Sequence, residues 1–240
     1  MDSIFNKPNI KSKCASCDLQ NLFVFRHLNV EQLSCLSNQM DQLNYEPGEF
    51  IFKQGASPNG FICLKKGKVK ITQLAHNGKE QIIDLKSPPD TLGIRALSTS
   101  SRYQSSAVAL DHVSICLIPS KEFYRILDSC PSVYKELFSY IGERLVRADQ
   151  KLVSLTQKTL RARLADTLLL LQENIGEDFE GYIDIPLKRS EMAQLSNMTT
   201  SNVIRTLSEF KRDKLIDLKD RKIKIFDKKT LFNISNFDKF

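Results

Sequence analysis

The side chains of this sequence best suited to chemistry lie on one face of a predicted helix near the C-terminal end of the stretch 188–212. They are three short hydrogen-bonding groups and one guanidinium: Thr200, Ser201, Asn202 and Arg205. The opposite face has apolar residues at i, i+4 and i+7, the spacing of a buried helix face: Val203, Leu207 and Phe210. Such a helix can place donors and acceptors against base edges in a DNA major groove. The alternative is an ordinary amphipathic helix with a solvated polar face.

The residues just before this face predict a second helix and a tight turn. Residues 190–196 form that helix, with small Ala193 at the point where the next helix passes close. Asn197 begins the turn, because Asn is second only to Gly in tolerating left-handed backbone. Thr199 then supplies the N-cap oxygen of the next helix. Two residues of the first helix are predicted to be buried: Met192 and Leu195.

The positive charge of the chain is concentrated around these helices. The 240 residues have a formal charge of +7, and the span Lys188 to Lys229, with 12 Lys/Arg against 6 Asp/Glu, contributes +6 of it. A phosphate-binding surface predicts this concentration, whereas a generic basic surface does not. With 41% hydrophobic and 26% charged residues, the chain is expected to be globular, with one or two domains.

Catalysis is not predicted. The three histidines, His27, His76 and His112, are scattered, and no Ser/His/Asp grouping, Cys/His grouping or Walker loop can be placed. The sequence also lacks a long apolar run and an apolar N-terminal segment, which predicts a protein of the cytoplasm. Its six cysteines are therefore expected to be reduced thiols and not a disulfide framework.

The elements that position the polar face begin with a series of β segments. Glycine and proline turn signals separate short apolar and β-branched segments: 50–52, 61–64, 69–72, 81–83, 106–110 and 113–118. This pattern predicts an antiparallel sandwich or barrel that ends at about Pro119. A helix is predicted before it, over 30–43, where apolar residues recur at helical spacing.

A long helix with a heptad seam is predicted from Pro131. Its apolar residues are spaced alternately four and three apart: Tyr134, Phe138, Ile141, Leu145, Ala148, Leu152 and Leu155. Such a seam is typical of a two-stranded coiled coil and is predicted to form a dimer interface. The alternative is a helix packed on its own β domain, which rarely keeps a strict 3.5-residue period for so long.

The C-terminal part predicts a winged helix. A helix over 159–173, an acidic loop over 174–181 and a short strand over 182–185 precede the helix pair, and a basic hairpin (215–218 with 222–226) follows it. The predicted fold class is α+β. It has four parts: a Cys-containing segment 1–25, a β-roll sensor domain 26–130, a dimerisation helix 131–157 and a DNA-binding domain 158–240.

This order of parts, together with three stretches, makes the chain similar to a known family: PGEFIFKQG, LKKGKVKI and RSEMAQLSNMTTSNVIRTLSEF. From about Cys14 to Phe226 it resembles the CRP/FNR family of bacterial transcription regulators. The resemblance implies a cyclic-nucleotide-binding-like β-roll and a homodimer paired through the heptad helix. It also implies a recognition helix from each subunit in successive major grooves of palindromic double-stranded DNA, and RNA polymerase as a partner. Candidate polymerase contacts are the acidic loop and the region around Asp90.

The resemblance assigns roles to individual residues. Arg205 stands where the family places a guanine-reading arginine, and Ser201 replaces a frequent glutamate that accepts from cytosine, so the half-site is expected to differ. Thr200 and Asn202 are assigned to bases or phosphates, and Thr199 is included among the DNA-binding residues. Three basic residues are assigned to phosphates, which position the protein without specifying sequence: Lys188, Arg189 and Lys211.

The resemblance makes cyclic AMP an unlikely ligand. Members that bind it have a Glu after a strand-end Gly and an Arg-Ser pair against the cyclic phosphate. The matching residues here, 90–93 and 103–106, contain neither that Glu nor that Arg, and Arg95 and Arg102 lie out of register. A buried phosphate would therefore lose a bidentate, charge-assisted partner.

The resemblance also suggests an iron–sulfur cluster as a cofactor, because the oxygen-sensing branch of the family holds such a cluster on four cysteines. Three residues match those ligands: Cys14, Cys17 and Cys116. The fourth position is Phe23, so the site is one thiolate short, and Cys35, His27 or a non-protein ligand are the alternatives for it. The Cys14/Cys17 pair could instead be a redox pair, a zinc site or a relic. The other cysteines are predicted to be small buried apolar residues: Cys63 and Cys130.

Two functions follow from the sequence. The first is a dimeric, sequence-specific DNA-binding transcription regulator whose β-roll senses an unidentified signal and repositions the recognition helices. The second is a small-molecule or redox-binding module that acts through protein contacts, with the winged helix as the partner-binding surface. A steep salt dependence of DNA affinity distinguishes the first from the second.

Overall fold

The chain is described by a computed structural model, which covers residues 22–75, 78–99 and 101–237. The described residues divide into two units, one within 22–80 and 84–144 and the other within 81–83 and 145–237. The boundary at residue 144 falls inside one long helix. In this part of the chain, no helix is both long enough and apolar enough to cross a membrane.

Two four-stranded sheets form the β domain, all of it in the first unit except residues 81–83 of its fifth strand. Their strands are β1 (Asp41–Tyr45), β2 (Phe50–Phe52), β3 (Gly60–Lys66), β4 (Val69–Leu74), β5 (Glu80–Lys86), β6 (Asp90–Leu92), β7 (Ser106–Ala109) and β8 (Val113–Pro119). One sheet has the order β1-β8-β3-β6 and the other has the order β2-β7-β4-β5. The strand pairs are antiparallel, which agrees with the architecture predicted from the turn spacing. Glycine is required at the turn after β3, since a Cβ on Gly67 would lie 2.5 Å from the His112 carbonyl oxygen.

Helices cover one face of the first sheet. They are α1 (Val30–Ser37), α2 (Ile94–Ser98), α3 (Ser120–Ser129) and the start of α4 (Pro131–Gln157). Alternate residues of β3 and β8 point into this layer, while their neighbours point to the opposite face. The resulting apolar cluster, termed the outer cluster, contains Val24, Phe25, Leu36, Phe61, Cys63, Ile94, Cys116, Ile118, Phe123, Leu127, Val133 and Leu137. Stacked rings of Phe61 and Phe123, 4.4 Å apart, lie within it.

The predicted helix over 30–43 is wrong beyond Ser37. Asn29 caps α1 by accepting from the Gln32 backbone N–H at 2.8 Å, and the helix ends at Ser37 with Asn38 as its C-cap. Leu43 belongs to β1 instead, where it lies opposite Ile115 of β8. Leu43 and Tyr45 are both buried, two residues apart, so pairing with β8 determined the structure where local spacing suggested a helix.

A polar network holds α4 against the first unit where the outer cluster ends. The buried Lys86 ammonium donates to Asp90 Oδ2 at 2.6 Å and to the Tyr140 hydroxyl at 2.8 Å. The Tyr140 hydroxyl donates to Asp90 Oδ1 at 2.7 Å, and burial raises the pKa of Tyr140. One turn further along α4, Arg144 pairs with Asp84. These contacts hold the part of α4 that belongs to the first unit.

The second unit is a winged helix. After α4 it contains α5 (Leu160–Ile175), α6 (Arg189–Ser196), α7 (Thr200–Arg212), the hairpin β9 (Ile216–Lys219) and β10 (Lys222–Ile225), and α8 (Lys228–Phe237). The last helix was not predicted; it packs on α5 and buries Leu231 completely. The predicted strand over 182–185 is reduced to one bridge between Glu177 and Ile183.

Candidate nucleic-acid interface

The helix-turn-helix has the predicted local geometry. Asn197 adopts left-handed backbone, with φ 50° and ψ 54°, and ends α6. The Thr199 hydroxyl then accepts from the Asn202 backbone N–H at 3.3 Å and caps α7. Four of the predicted inner residues are fully or almost fully buried: Ala193, Val203, Leu207 and Phe210. Met192 is also buried, whereas Leu195 is only half-buried, contrary to prediction.

The polar face of α7 points to solvent. Thr200, Ser201 and Arg205 are exposed, and Asn202 is half-buried. The Arg205 side chain is 67% exposed, and its nearest carboxylate, Glu209, is 3.9 Å away. So exposed an ion pair contributes little, which leaves the guanidinium available for another acceptor.

Sequence reasoning missed Ile204 on the same face. This side chain is 50% exposed beside Arg205, with Ser208 exposed one turn later. The sequence contained an indication of this position, because Ile204 is an apolar residue that does not belong to the predicted buried stripe of α7. An exposed apolar group on a recognition helix can contact the C5-methyl of thymine.

Arg161 of α5 holds the C-terminal end of α7. Its guanidinium donates to Glu209 at 3.1 Å and to Asp213 at 2.9 Å, and it lies 4.8 Å from the centre of the Phe210 ring. The hydrogen bond from Arg161 lowers the pKa of Asp213. The exposed face of α7 is therefore fixed on a helix whose other end is capped and whose inner side is buried.

The basic wing is partly neutralised by the acidic loop. Lys222 of β10 pairs with Asp178 at 2.6 Å, and Lys219 of β9 pairs with Glu180 at 2.7 Å. Asp178 also accepts from two backbone N–H groups of its own loop, and the Lys222 hydrogen bond lowers its pKa. At the tip of the hairpin, Arg221 is exposed and makes no ion pair with any residue that the structure describes. Arg221 is thus the wing cation best placed for a phosphate.

The three predicted phosphate contacts lie in different surroundings. Lys188 precedes α6 and is exposed. Lys211 pairs with Asp217 at 3.0 Å, and this hydrogen bond, with a second from the Tyr182 hydroxyl, lowers the pKa of Asp217 to about 2. Burial lowers the pKa of Arg189, and its Nη1 has no hydrogen-bond partner among the described residues. Lys188 is therefore the one whose ammonium is most accessible to a phosphate.

The heptad seam of α4 is largely exposed in the single chain. Phe138 is 82% exposed, and Leu145 and Leu152 are each 63% exposed. Tyr134 and Ala148 are also exposed, while Ile141 and Leu155 are half-buried. Val133, Leu137 and Tyr140 pack α4 on the first unit from beside the seam, and the seam residue Ile141 packs against the same cluster.

The predicted cofactor residues are only partly described. Cys14 and Cys17 lie outside the described residues, as does the Cys35 side chain. Cys116 is buried in the outer cluster, and His27 Nε2 donates to Glu136 Oε1 at 3.0 Å. Among the described residues, no three His, Cys, Asp or Glu side chains are grouped so that they could hold a metal.

The region matched to a cyclic phosphate has apolar surroundings. Buried Ile94 follows Gly93, in the place of the expected Glu. The Tyr103 ring covers Gly93, stacks on Phe52 at 3.9 Å, and is itself buried. Arg102 donates to the Gly55 carbonyl at 2.9 Å. These residues do not fit a cyclic nucleotide held through its phosphate.

Both units match known domain families. Residues 42–130 match the cyclic nucleotide-binding domain, and residues 162–234 match the Crp-like helix-turn-helix domain. The structure of FixK2 from Bradyrhizobium japonicum is similar to the chain with a TM-score of 0.73 and 20% identity, over 81% of this chain and 96% of that one.

Two curated relatives are transcription regulators by name. The transcriptional activator protein Anr of Pseudomonas protegens is 24% identical over 220 residues, which is 90% of each protein. A CRP-like cAMP-activated global transcriptional regulator of Mycobacterium tuberculosis is 23% identical over 210 residues, covering 87% of this chain and 94% of the relative. With the two domain matches in this order and the exposed polar face of α7, these relatives show that the chain belongs to the CRP/FNR family of DNA-binding transcription regulators.

Proposed function

We propose that the protein binds palindromic DNA as a homodimer and regulates transcription in response to a signal received by its β domain. The observation that supports this best is the polar face of α7, which is exposed around Arg205 while the opposite face is buried. A rigid helix with an exposed guanidinium and short polar neighbours suits base-edge contacts in a major groove. Binding to DNA would place the protein's site of action in the cytoplasm.

Selection from a random DNA library tests this function. We expect the selected sites to be inverted repeats whose half-site centres lie about 10 base pairs apart, or one further turn, because each subunit presents one α7. We also expect the logarithm of the affinity to fall steeply with the logarithm of salt concentration, with one ion released for each phosphate contacted. Sites without symmetry, or a salt slope near zero, would favour a winged helix that binds a protein partner.

The seam of α4 supports the dimer. Five of its seven residues are exposed, and three of them are large apolar side chains at heptad spacing: Phe138, Leu145 and Leu152. An apolar stripe of this length in water favours pairing with an identical stripe, as in a two-stranded coiled coil. The polar network of Lys86, Asp90 and Tyr140 then connects the β domain to the helix that forms the dimer. A change in the β domain that reached this network would alter the pairing of the two helices.

The acidic loop of the second unit is our candidate contact for RNA polymerase. Phe179 at its tip is 98% exposed. Hydrogen bonds from the backbone and from Lys222 to the neighbouring Asp178 hold the loop in place. A fully exposed aromatic ring on a held loop, between two acidic residues, is suited to act as a protein contact, because aromatic residues contribute most at interface centres.

Replacing Phe179 with serine should separate DNA binding from transcription. Because the side chain is 98% exposed, we expect unchanged operator affinity and a loss of activation of about tenfold or more in a reconstituted transcription assay. Phe232→Ser, at a residue that is 56% exposed on α8, is the matched control and should leave activation unchanged. Equal activation by wild type and Phe179→Ser would rule out this loop as the polymerase contact.

A further inference from the structure

Strands β3 and β8 place two cysteines directly opposite one another. Cys63 and Cys116 are register partners in this antiparallel pair. Side chains of directly opposite residues emerge on the same face of a sheet, with Cβ atoms about 4.5–5.5 Å apart. Both side chains belong to the outer cluster, and both are thiols in this structure. The cysteines are 53 positions apart in the chain, so sequence spacing gives no sign of their proximity.

We propose that Cys63 and Cys116 form a reversible redox pair, which closes to a disulfide when the protein is oxidised. Opposite residues of antiparallel strands have Cα atoms about 4.5 or 5.5 Å apart, and a disulfide spans Cα separations of about 4.4–6.8 Å. The Cα separation is therefore within the range of a disulfide, and closing the bond requires the Cβ atoms to approach from about 4.5–5.5 Å to about 3.5–4.5 Å, a small shift of the two strands. The consequence of the bond would be a covalent crosslink between two central neighbours of the sheet that supports α3 and α4.

The surroundings of the pair favour a disulfide over a bound metal ion. The outer cluster is apolar, and a disulfide is uncharged, so it can replace two thiols there without a cost in desolvation. Two thiolates around a monovalent ion would leave a net negative charge among Phe61, Phe123 and Ile118, which is unfavourable. The described residues also offer these two sulfurs no third ligand of the His, Cys, Asp or Glu type.

The chemical steps begin when an oxidant reaches one of the two thiols. Cys63 is 5% exposed and Cys116 is 1% exposed, so both are buried, and the steps are the same in kind whichever thiol reacts first. With a small disulfide as oxidant, the Cys63 thiolate attacks one sulfur, forms a mixed disulfide and expels one thiolate. The Cys116 thiolate then attacks Cys63 Sγ and expels the second. Two electrons pass to the small disulfide, and the two thiol protons end on the two small thiols that are released.

The segment 22–28 controls access to the pair. Val24 and Phe25 are completely buried in the outer cluster, and the Phe25 ring meets the Phe61 ring edge-on at 5.6 Å. Phe61 lies on β3 two residues before Cys63 and on the same face. A short segment held by a few side chains opens at lower free-energy cost than a central strand. We therefore expect oxidation to wait for this segment to open.

Oxidation of the full-length protein with glutathione disulfide tests the proposal. After alkylation of the remaining thiols and tryptic digestion, mass spectrometry should find peptide 54–65 joined to peptide 103–121, because these contain Cys63 and Cys116 and are bounded by Lys or Arg. Dithiothreitol should restore the separate peptides. In Cys63→Ser the linked species should vanish, and in Cys130→Ser, which removes the half-buried cysteine packed against the same cluster, it should persist.

Three other outcomes would overturn the redox pair. One is Cys116 joined to Cys14 or Cys17 in place of Cys63. Another is a stable mixed disulfide of Cys63 with glutathione while Cys116 stays alkylatable, which would mean the two sulfurs do not meet. The third is the absence of linkage both in wild type and in Phe25→Ala. Because Phe25→Ala loosens the segment 22–28, we expect the rate of linkage to rise by about tenfold in this variant. Circular dichroism of Phe25→Ala would show that the sheet is intact.

Discussion

Replacing Arg205 with alanine should remove most of the preference of this protein for its operator over other DNA. A bidentate contact between Arg and guanine is worth about 1–3 kcal/mol, and a symmetric dimer makes two such contacts. The preference should therefore fall by about 2–6 kcal/mol, which is roughly thirtyfold even at the lower limit. Competition binding against a scrambled duplex at one salt concentration measures it.

The fold and the dimer should survive this change. The Arg205 side chain is 67% exposed, and its only close carboxylate among the described residues is Glu209, which Arg161 also binds. Arg212→Ala is the matched control, since it removes the same charge from the last turn of α7, where the side chain is 76% exposed. We expect that control to weaken specific and non-specific binding alike. If Arg205→Ala behaves in the same way, Arg205 contacts phosphate and not a base.

Replacing Leu145 with aspartate should convert the protein to a monomer. Leu145 is a seam residue that is 63% exposed in the single chain, so the change leaves the described core intact. In a dimer paired through α4, the substitution would remove the burial of two leucines, one from each subunit, at about 1.5–3 kcal/mol each. It would also bring two carboxylates together at the interface. We expect dissociation at micromolar concentration in analytical ultracentrifugation. Operator affinity should fall with it, because a monomer binds only one half-site.

The residue next in the chain provides the control. Val146 is 55% exposed and lies beside the seam, at a position that faces away from a partner in a two-stranded coiled coil. Val146→Asp adds the same charge to the same turn of α4 and should leave the dimer intact. A dimer in both variants, or a monomer in both, would show that α4 does not pair through the predicted seam.

Features set by neighbouring residues could be predicted from the sequence. The left-handed Asn197, the Thr199 cap and the buried stripe of α7 follow from preferences within a few residues, and each was found where expected. The start of α4 at Pro131 is a further case, since Pro suits the first turn of a helix. The element order was also sufficient to identify the family.

Features set by distant pairing could not be predicted. Leu43 is at helical spacing from Met40, yet its partner Ile115 lies on a strand far along the chain and makes it part of β1. The wing was predicted to be a basic hairpin, yet Asp178 and Glu180 of the acidic loop pair with two of its lysines, Lys222 and Lys219. In each case the deciding interaction connects residues whose separation in sequence gives no indication of contact.

The way α7 is held has a consequence for how the regulon of such a protein can change during evolution. Its burial, its cap and its anchor to Arg161 involve one set of side chains, and its exposed face involves another. Substitutions at Ser201, Ile204 or Arg205 therefore cost little stability, because exposed positions outside caps and cores usually change it by about 0.5 kcal/mol or less. A duplicated copy of the gene could acquire a new operator in single steps, each passing through a folded protein. Divergence of target sequence in this lineage would then be limited by the spread of matching DNA sites and not by folding.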